Sequence, residues 1–316
     1  MSKIKQIKTA LIGAGIMGKY HARQLHEISD FSVVCDPDFS QVEPLINQYE
    51  IDYCSSFSEI PEFVDSVIIA APTVFHEKIA IGLLRSGKNI LIEKPLSGTY
   101  LSGQKILKES LKSSSTVAVG QIERFNPVIQ KAKEKLSNGD WGFPVSISAR
   151  RFSPFPKRIS DVGVVFDIGI HDIDLIRYLF GEEVTQVSAS GGSFNKIPFE
   201  DYASIILKFK DNKTGICETN WLSPVKIRKI SMITSTHYVI LDLLDKEIYQ
   251  STSSEIDRSG LSEMEKVTFD EKNALKCELI NFLESTLSRE EPLVTVSDGL
   301  ESVRIAEEVI KEINLN

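Results

Sequence analysis

The residues best equipped for chemistry stand in one octet, Asp167-Ile168-Gly169-Ile170-His171-Asp172-Ile173-Asp174. On a helix, Asp167, His171 and Asp174 fall at i, i+4 and i+7 and share a face. Such a set admits three readings. A carboxylate beside an imidazole orients the ring and raises its basicity, giving a general acid/base pair. The same groups can ligate a divalent metal, although the other histidines (His21, His26, His76, His237) are scattered and no metal is expected. The third reading is a solvated or capping acidic helix end.

A second group concerns nucleotides. Gly13-Ala14-Gly15-Ile16-Met17-Gly18 is a G-x-G-x-x-G, and Asp36 stands 18 residues beyond its last glycine. Glycines admit a pyrophosphate to the backbone, and the helix opened by Ile16 and Met17 supplies N–H donors and a positive dipole end. Asp36 suits a ribose 2′-OH and repels a 2′-phosphate, which favours NAD over NADP. Ala71-Pro72-Thr73 with His76, and Glu93-Lys94-Pro95, each follow a strand-like run. The carboxyl edge of a parallel sheet is where such ligands bind.

These groups need a scaffold, and the apolar pattern supplies one. Thr9–Ile12, Phe31–Cys35, Ser66–Ala71, Asn89–Ile92 and Thr116–Val119 are short apolar runs alternating with helical stretches such as Met17–Ile28. They predict a doubly wound parallel sheet, an α/β Rossmann domain over 1–120. From Gln121 the pattern changes to a helix reaching Leu136, a strand Val145–Arg150 and a helix Phe166–Phe180. Strands at Thr185–Ala189, Tyr202–Phe209, Thr214–Thr219, Ile227–Thr234, Tyr238–Leu243 and Lys246–Gln250 follow, then helices at Asn273–Ser288 and Asp298–Ile313. This predicts an α+β domain over 121–316 with a largely antiparallel open sheet, the C-terminal helix being free to pack back on the first domain. Ala203–Leu207 is apolar at almost every position, which implies burial of both faces by a partner subunit or a long loop.

Composition narrows the class. The chain has 316 residues and 36 basic against 44 acidic side chains, a net charge of −8. Such a chain suits neither nucleic acid nor an anionic membrane surface. No apolar run is long enough to span a bilayer, and no signal peptide is read at the N-terminus. Cys35, Cys54, Cys217 and Cys277 lack Cys-x-x-Cys spacing and read as reduced thiols of a cytoplasmic protein.

With the Gly13–Gly18 motif, Asp36, Glu93-Lys94-Pro95 and Asp167-x-x-x-His171 in this order, the chain resembles the glucose–fructose oxidoreductase/inositol dehydrogenase (Gfo/Idh/MocA) family. Glu291-Pro292-Leu293-Val294 followed by Asp298-Gly299 extends the likeness to the end. The resemblance implies a Rossmann domain, an α+β domain whose sheet makes homodimers or homotetramers, and hydride transfer between a nicotinamide cofactor and a sugar or cyclitol carbon. It implies that Lys94 is catalytic with Asp167 and His171 as partners. It also brings Ala71, Pro72, Thr73, His76, Glu93 and Lys94 to the cofactor.

Gly120–Pro127 and Ser148–Arg151, with Pro154–Arg158 and Asp161–Val165, are similar to the UDP-N-acetylglucosamine 3-dehydrogenase branch. That likeness adds Arg124, Asn126, Arg150, Arg151 and Arg158 as substrate contacts. The residues agree, because Arg150, Arg151, Lys157 and Arg158 gather four cations in nine positions, and guanidinium forks suit a diphosphate. The alternative reading is that these cations are solvated or make structural salt bridges. Gly163-Val164-Val165 departs from the glycine triplet common in the family. The alternatives to a nucleotide-sugar dehydrogenase are a dehydrogenase of free sugars or inositols, a non-catalytic NAD-binding regulator, and a metal-dependent hydrolase.

Overall fold

The computed structural model describes residues 3–156, 162–251 and 263–315. It divides into two compact units. The first runs through Ile122 and includes Asn273–Val303; the second comprises Glu123–Lys272 and the residues from Arg304 onward.

In the first unit, strands β1 (Lys8–Ile12), β2 (Asp30–Cys35), β3 (Asp52–Cys54), β4 (Ser66–Ile69), β5 (Asn89–Glu93) and β6 (Val117–Gly120) form one parallel sheet. Its order is β3-β2-β1-β4-β5-β6, so the winding reverses between β1 and β4. Helices α1 (Ile16–Ile28), α2 (Phe39–Tyr49), α3 (His76–Arg85) and α4 (Tyr100–Ser110) are the crossovers. Leu11, Val34, Ile68 and Leu91 are fully buried, as strands covered on both faces require. Each such side chain contributes about 1.5–3 kcal/mol. The sequence pattern does not reveal β3, since only Cys54 of its three residues is buried.

The second unit opens with α5 (Pro127–Ser137) and the long strand β7 (Pro144–Pro154). Helix α6 (Ile170–Phe180) follows a π-helical turn at Val165–Gly169. Strands β8 (Gln186–Gly192), β9 (Tyr202–Lys208), β10 (Thr214–Asn220), β11 (Leu222–Thr234), β12 (Tyr238–Asp242), β13 (Glu247–Ser251) and β14 (Met264–Lys266) complete an eight-stranded sheet. Its order is β14-β13-β12-β11-β7-β10-β9-β8, antiparallel except for the β7–β10 pair. Ile147, Ala149, Ile205, Leu207, Ile230 and Met232 join Ile173, Leu175 and Ile176 of α6 in one core.

The expected burial of both faces at Ala203–Leu207 does not hold within the chain. Burial alternates along β9, with Ala203, Ile205 and Leu207 inward and Ile206 44% exposed. The outward face also presents Tyr202, Ile233 and Tyr238.

Helix α7 (Ala274–Ser288) places Leu275, Leu279, Phe282 and Leu283 in the core of Leu11, Leu25, Phe31 and Leu91. That shared core explains why Asn273–Val303 group with the first unit. Helix α8 (Val296–Leu315) continues into the second unit, where Ile305, Ala306 and Val309 are fully buried. No described helix is long and apolar enough to cross a membrane. The four cysteines are free thiols.

Candidate active site

The three glycines of the first turn do different work. Gly13 has φ +94° and lies so close to the next strand that a Cβ would meet Ala70 C at 2.6 Å. A Cβ on Gly18 would lie 1.9 Å from Gly13 O, so only glycine lets α1 pack on the turn. Gly15 differs: a Cβ there would meet nothing within 4 Å. Gly15 is also the N-cap of α1 and makes no side-chain cap bond. The first-turn N–H groups, Ile16 and Met17 among them, therefore face an open cradle, the environment a pyrophosphate needs. The residues fit a dinucleotide.

Asp36 follows β2 beside this loop, half-buried. Its Oδ2 accepts the Ala14 N–H at 2.8 Å and its Oδ1 the Asp38 N–H at 2.9 Å. The carboxylate thus fixes the glycine turn, a role that spacing did not reveal. We expect Gly15→Ala to leave the melting temperature unchanged while weakening NADH about tenfold or more, read by NADH fluorescence. Gly18→Ala should instead lower the melting temperature. Unchanged NADH affinity in Gly15→Ala would remove the cradle assignment.

The other edge residues separate into two kinds. Ala71, Pro72 and Thr73 form an exposed to half-exposed loop, and Lys94 is half-buried. His76 is 1% exposed, with Nε2 2.9 Å from Ala71 O and Nδ1 3.1 Å from Pro95 O. It staples the loop after β4 to the loop after β5. Burial lowers its pKa against the pull of those carbonyls. Glu93 also points inward, where its carboxylate engages His21 and the Lys94 N–H. Sequence reasoning put His76 and Glu93 on the cofactor, but their polar atoms are committed inside the unit.

In the second unit, the π-helical turn carries Asp167 and the first turn of α6 carries His171. His171 is 9% exposed and Asp167 half-buried. Gly163 and the two valines after it explain the departure from a glycine triplet. Val164 and Val165 are fully buried core residues, and a Cβ on Gly163 would strike the Glu200 carboxylate at 2.0 Å. Glu200 accepts the Val165 N–H at 3.0 Å and so caps the helix start. Burial raises the pKa of that carboxyl.

Asp174 parts from the other two. It is fully buried and bound two-pronged by Arg124, at 2.8 Å from both Nε and Nη2. Arg124 also stacks on the Tyr178 ring at 4.8 Å. Asp172, which spacing did not single out, is 2% exposed and accepts from Arg151 Nε and Nη2 at 3.0 and 2.8 Å. Arg151 Nη1 reaches Glu123 at 2.8 Å, and Arg228 Nη1 reaches the same oxygen at 3.3 Å. Burial opposes the charge on Arg151, yet Asp172 and Glu123 raise its pKa overall. Arg151 in turn holds Glu123 low despite its burial. Two buried arginine–aspartate pairs therefore anchor the helix of His171 to β7 and to the turn at Ile122–Phe125. The available signal was the pair of charges inside an otherwise apolar helical run, since a fully buried charge must be paired.

Arg150 and Arg151 of the four-cation cluster are divided by the pleat. Successive side chains of a strand point to opposite faces. Arg151 thus lies under α6, while Arg150 is exposed and pairs with Glu218 at 2.7 Å on the outer face. Arg150 lines a shallow depression of about 470 Å³ there with Phe152, Lys229 and Tyr238. Asn126 is the N-cap of α5, accepting the Val128 N–H at 3.1 Å and donating to Glu123 at 3.1 Å. Lys157 and Arg158 lie outside the described residues. Of the expected substrate contacts, Arg124, Asn126 and Arg151 hold the scaffold and Arg150 faces outward.

A phosphate cradle at the switch point of a parallel sheet, followed by a unit with a buried imidazole and half-buried carboxylate on one helix, defines a dinucleotide-dependent oxidoreductase. The chain belongs to the Gfo/Idh/MocA family: residues 7–121 match its NAD-binding Rossmann fold and 129–236 its C-terminal domain. It is 31% identical over 238 residues to the NAD(+)-dependent scyllo-inositol 2-dehydrogenase of Bacillus subtilis, covering 69% of this chain and 68% of that one. It is 25% identical over 279 residues to the UDP-N-acetylglucosamine 3-dehydrogenase of Acidithiobacillus ferrooxidans, covering 88% of each. The solved structure of the latter superposes with a TM-score of 0.89 at 23% identity, over 98% of both chains, which establishes the shared fold. The protein is thus an NAD-binding oxidoreductase.

Proposed function

We propose that this chain is a dehydrogenase that oxidises a secondary hydroxyl of a sugar to a ketone, with C3 of UDP-N-acetylglucosamine or a related nucleotide sugar as the substrate. The observation that carries the reaction class is the anchored helix holding His171 one turn after Asp167, in a chain whose other unit binds NAD. The substrate reading is supported by the likeness to a UDP-N-acetylglucosamine 3-dehydrogenase over most of both chains.

Gly15, Ile16, Met17 and Asp36 would hold NAD, which supplies the hydride acceptor when bound. His171 takes the proton of the reacting hydroxyl as its carbon loses hydride. Lys94, as a cation, positions that hydroxyl and stabilises the negative charge growing on its oxygen. Asp167 binds the substrate or orients the imidazole. The outward apolar face of the second sheet, with Tyr202, Ile206, Ile233 and Tyr238, supports a homodimer or homotetramer. Light scattering on the purified protein tests that assembly.

A second reading, a dehydrogenase of inositols or free sugars, is favoured by two observations. One is the 31% identity to an inositol dehydrogenase. The other is the placement of Arg150 and Arg151 on opposite faces of β7, which separates two of the cations expected to bind a diphosphate. Absorbance at 340 nm with NAD⁺ and, in parallel, UDP-N-acetylglucosamine, scyllo-inositol, myo-inositol and glucose decides between them. NADH formed with the nucleotide sugar alone is the expected result. Turnover of a cyclitol or free sugar alone would transfer the same chemistry to the second reading.

A further inference from the structure

Three buried titratable side chains of the first unit lie beside Lys94 and have no role in the reaction so far. His21 of α1 is 0% exposed, Glu93 at the end of β5 8%, and Glu278 of α7 1%. His21 Nε2 stands 2.6 Å from Glu93 Oε1, a short hydrogen bond. The other oxygen, Glu93 Oε2, accepts the backbone N–H of Lys94 at 3.1 Å. A Cβ on Gly120 would lie 3.3 Å from that oxygen, so the neighbouring strand backs the carboxylate with bare backbone. One ligand atom from each of the three residues lies within 4.8 Å of the others. Yet neither oxygen of Glu278, nor Nδ1 of His21, has a hydrogen-bond partner among the described residues.

We propose that His21, Glu93 and Glu278 form a positioning cluster for Lys94. His21 ties the phosphate-binding helix to Glu93, Glu93 holds the Lys94 amide, and Glu278 closes the cluster from α7 as a neutral acid. The inference rests on the role given to Lys94 above.

The chemistry of Glu278 follows from its surroundings. A buried carboxylate without a donor is costly, whereas the protonated acid is not. Burial, with the charge of Glu93 adding to it, holds Glu278 well above the usual carboxylate range. The titratable groups facing it are His21 from α1 and Glu93 from β5. On the outer side of α7, Lys276 pairs with Glu27 of α1 at 2.9 Å. The 3₁₀ turn Ile4–Gln6, also packed on α7, contributes Ile4 to the apolar core. An acid whose folded pKa exceeds its unfolded value gives stability that is complete below the unfolded pKa. That stability is lost as pH rises toward the folded value.

The test uses the full chain and two readouts that need no substrate: residue-resolved amide exchange at Lys94, and melting temperature against pH. His21→Ala should speed Lys94 exchange about tenfold while amides of β1 and β4 keep their protection. His21→Gln, which can still offer an N–H to Glu93, should restore part of that protection, and it carries the measurement if the alanine variant does not fold. Glu278→Gln should keep Lys94 exchange at the wild-type rate, flatten the fall of melting temperature above pH 6, and melt higher than wild type at pH 8. Unchanged Lys94 exchange in His21→Ala would overturn the proposal, as would a Glu278→Gln variant destabilised at every pH. Stoichiometric zinc in the purified wild type, absent from Glu278→Gln, would overturn it by making the cluster a metal site. Failure of the Lys94 reading is separate: turnover unaffected by Lys94→Ala would remove that role while leaving the exchange results to stand.

Discussion

His171→Ala is expected to lower turnover by about 10²–10⁴-fold, the usual contribution of a positioned acid/base group and equivalent to about 2.7–5.5 kcal/mol of barrier. NADH affinity should stay within a factor of about two, because the glycine cradle belongs to the other unit and depends on Gly13, Gly15, Gly18 and Asp36. The helix should also remain in place, since Asp172 and Asp174 keep their pairs with Arg151 and Arg124 at 2.8 Å. The measurement is NADH formation at saturating NAD⁺ with whichever substrate the absorbance screen identifies, beside NADH binding by fluorescence. Lys94→Ala should fall in the same range if its cation stabilises the developing alkoxide. A His171 variant that loses cofactor affinity and turnover together would point to a structural role for the imidazole and sink the assignment.

What could be read from the sequence was governed by pattern length. The strands of the first sheet are apolar on both faces, so Leu11–Ile12, Val67–Ile69 and Ile90–Ile92 stand out as runs, and the glycines between β1 and α1 mark the turn. Strand β3 was invisible because an edge strand of three residues buries too little to leave a pattern. The site was half legible. Asp167 and His171 share a helical stretch as expected, but an ideal helix would also put Asp174 in their company. The structure gives Asp174 to Arg124 instead, because a fully buried aspartate must be neutralised nearby. Arg150 and Arg151 part company for a related reason. Adjacency along the chain brings charges together on a loop, but on a strand it sends them to opposite faces. Glu93 and His76 sit beside the cofactor edge in sequence, yet their polar atoms turn inward to hold the loops that carry Ala71 and Lys94. Sequence proximity cannot separate a group that touches a ligand from one that holds the loop in place.

Arg151→Met separates the two readings of that arginine. In the structure, Arg151 is 2% exposed and bonds both Asp172 and Glu123. Replacing it with an apolar side chain of similar length takes the guanidinium from two buried carboxylates, leaving Glu123 with the longer contact from Arg228 and the Asn126 amide. Removing one partner of a buried pair costs about 3–5 kcal/mol, against a total stability of about 5–15 kcal/mol for a typical domain. The urea midpoint should therefore fall steeply, and α6 with His171 should be the element that loosens. The loss should also depend on pH. In the wild type Arg151 depresses Glu123, a contribution present above the unfolded carboxylate pKa and lost as pH falls through the folded value. In the variant, burial acts on Glu123 against only Arg228 and the Asn126 amide, which favours the neutral form more than in the wild type. The gap between wild type and Arg151→Met should thus widen from pH 4 to pH 7. Arg150→Ala is the control. Its exposed pair with Glu218 is of the kind that contributes little, so the midpoint should hardly move. If Arg151→Met instead keeps its midpoint and raises the KM for a nucleotide sugar, the arginine reads a phosphate and the buried-pair account fails.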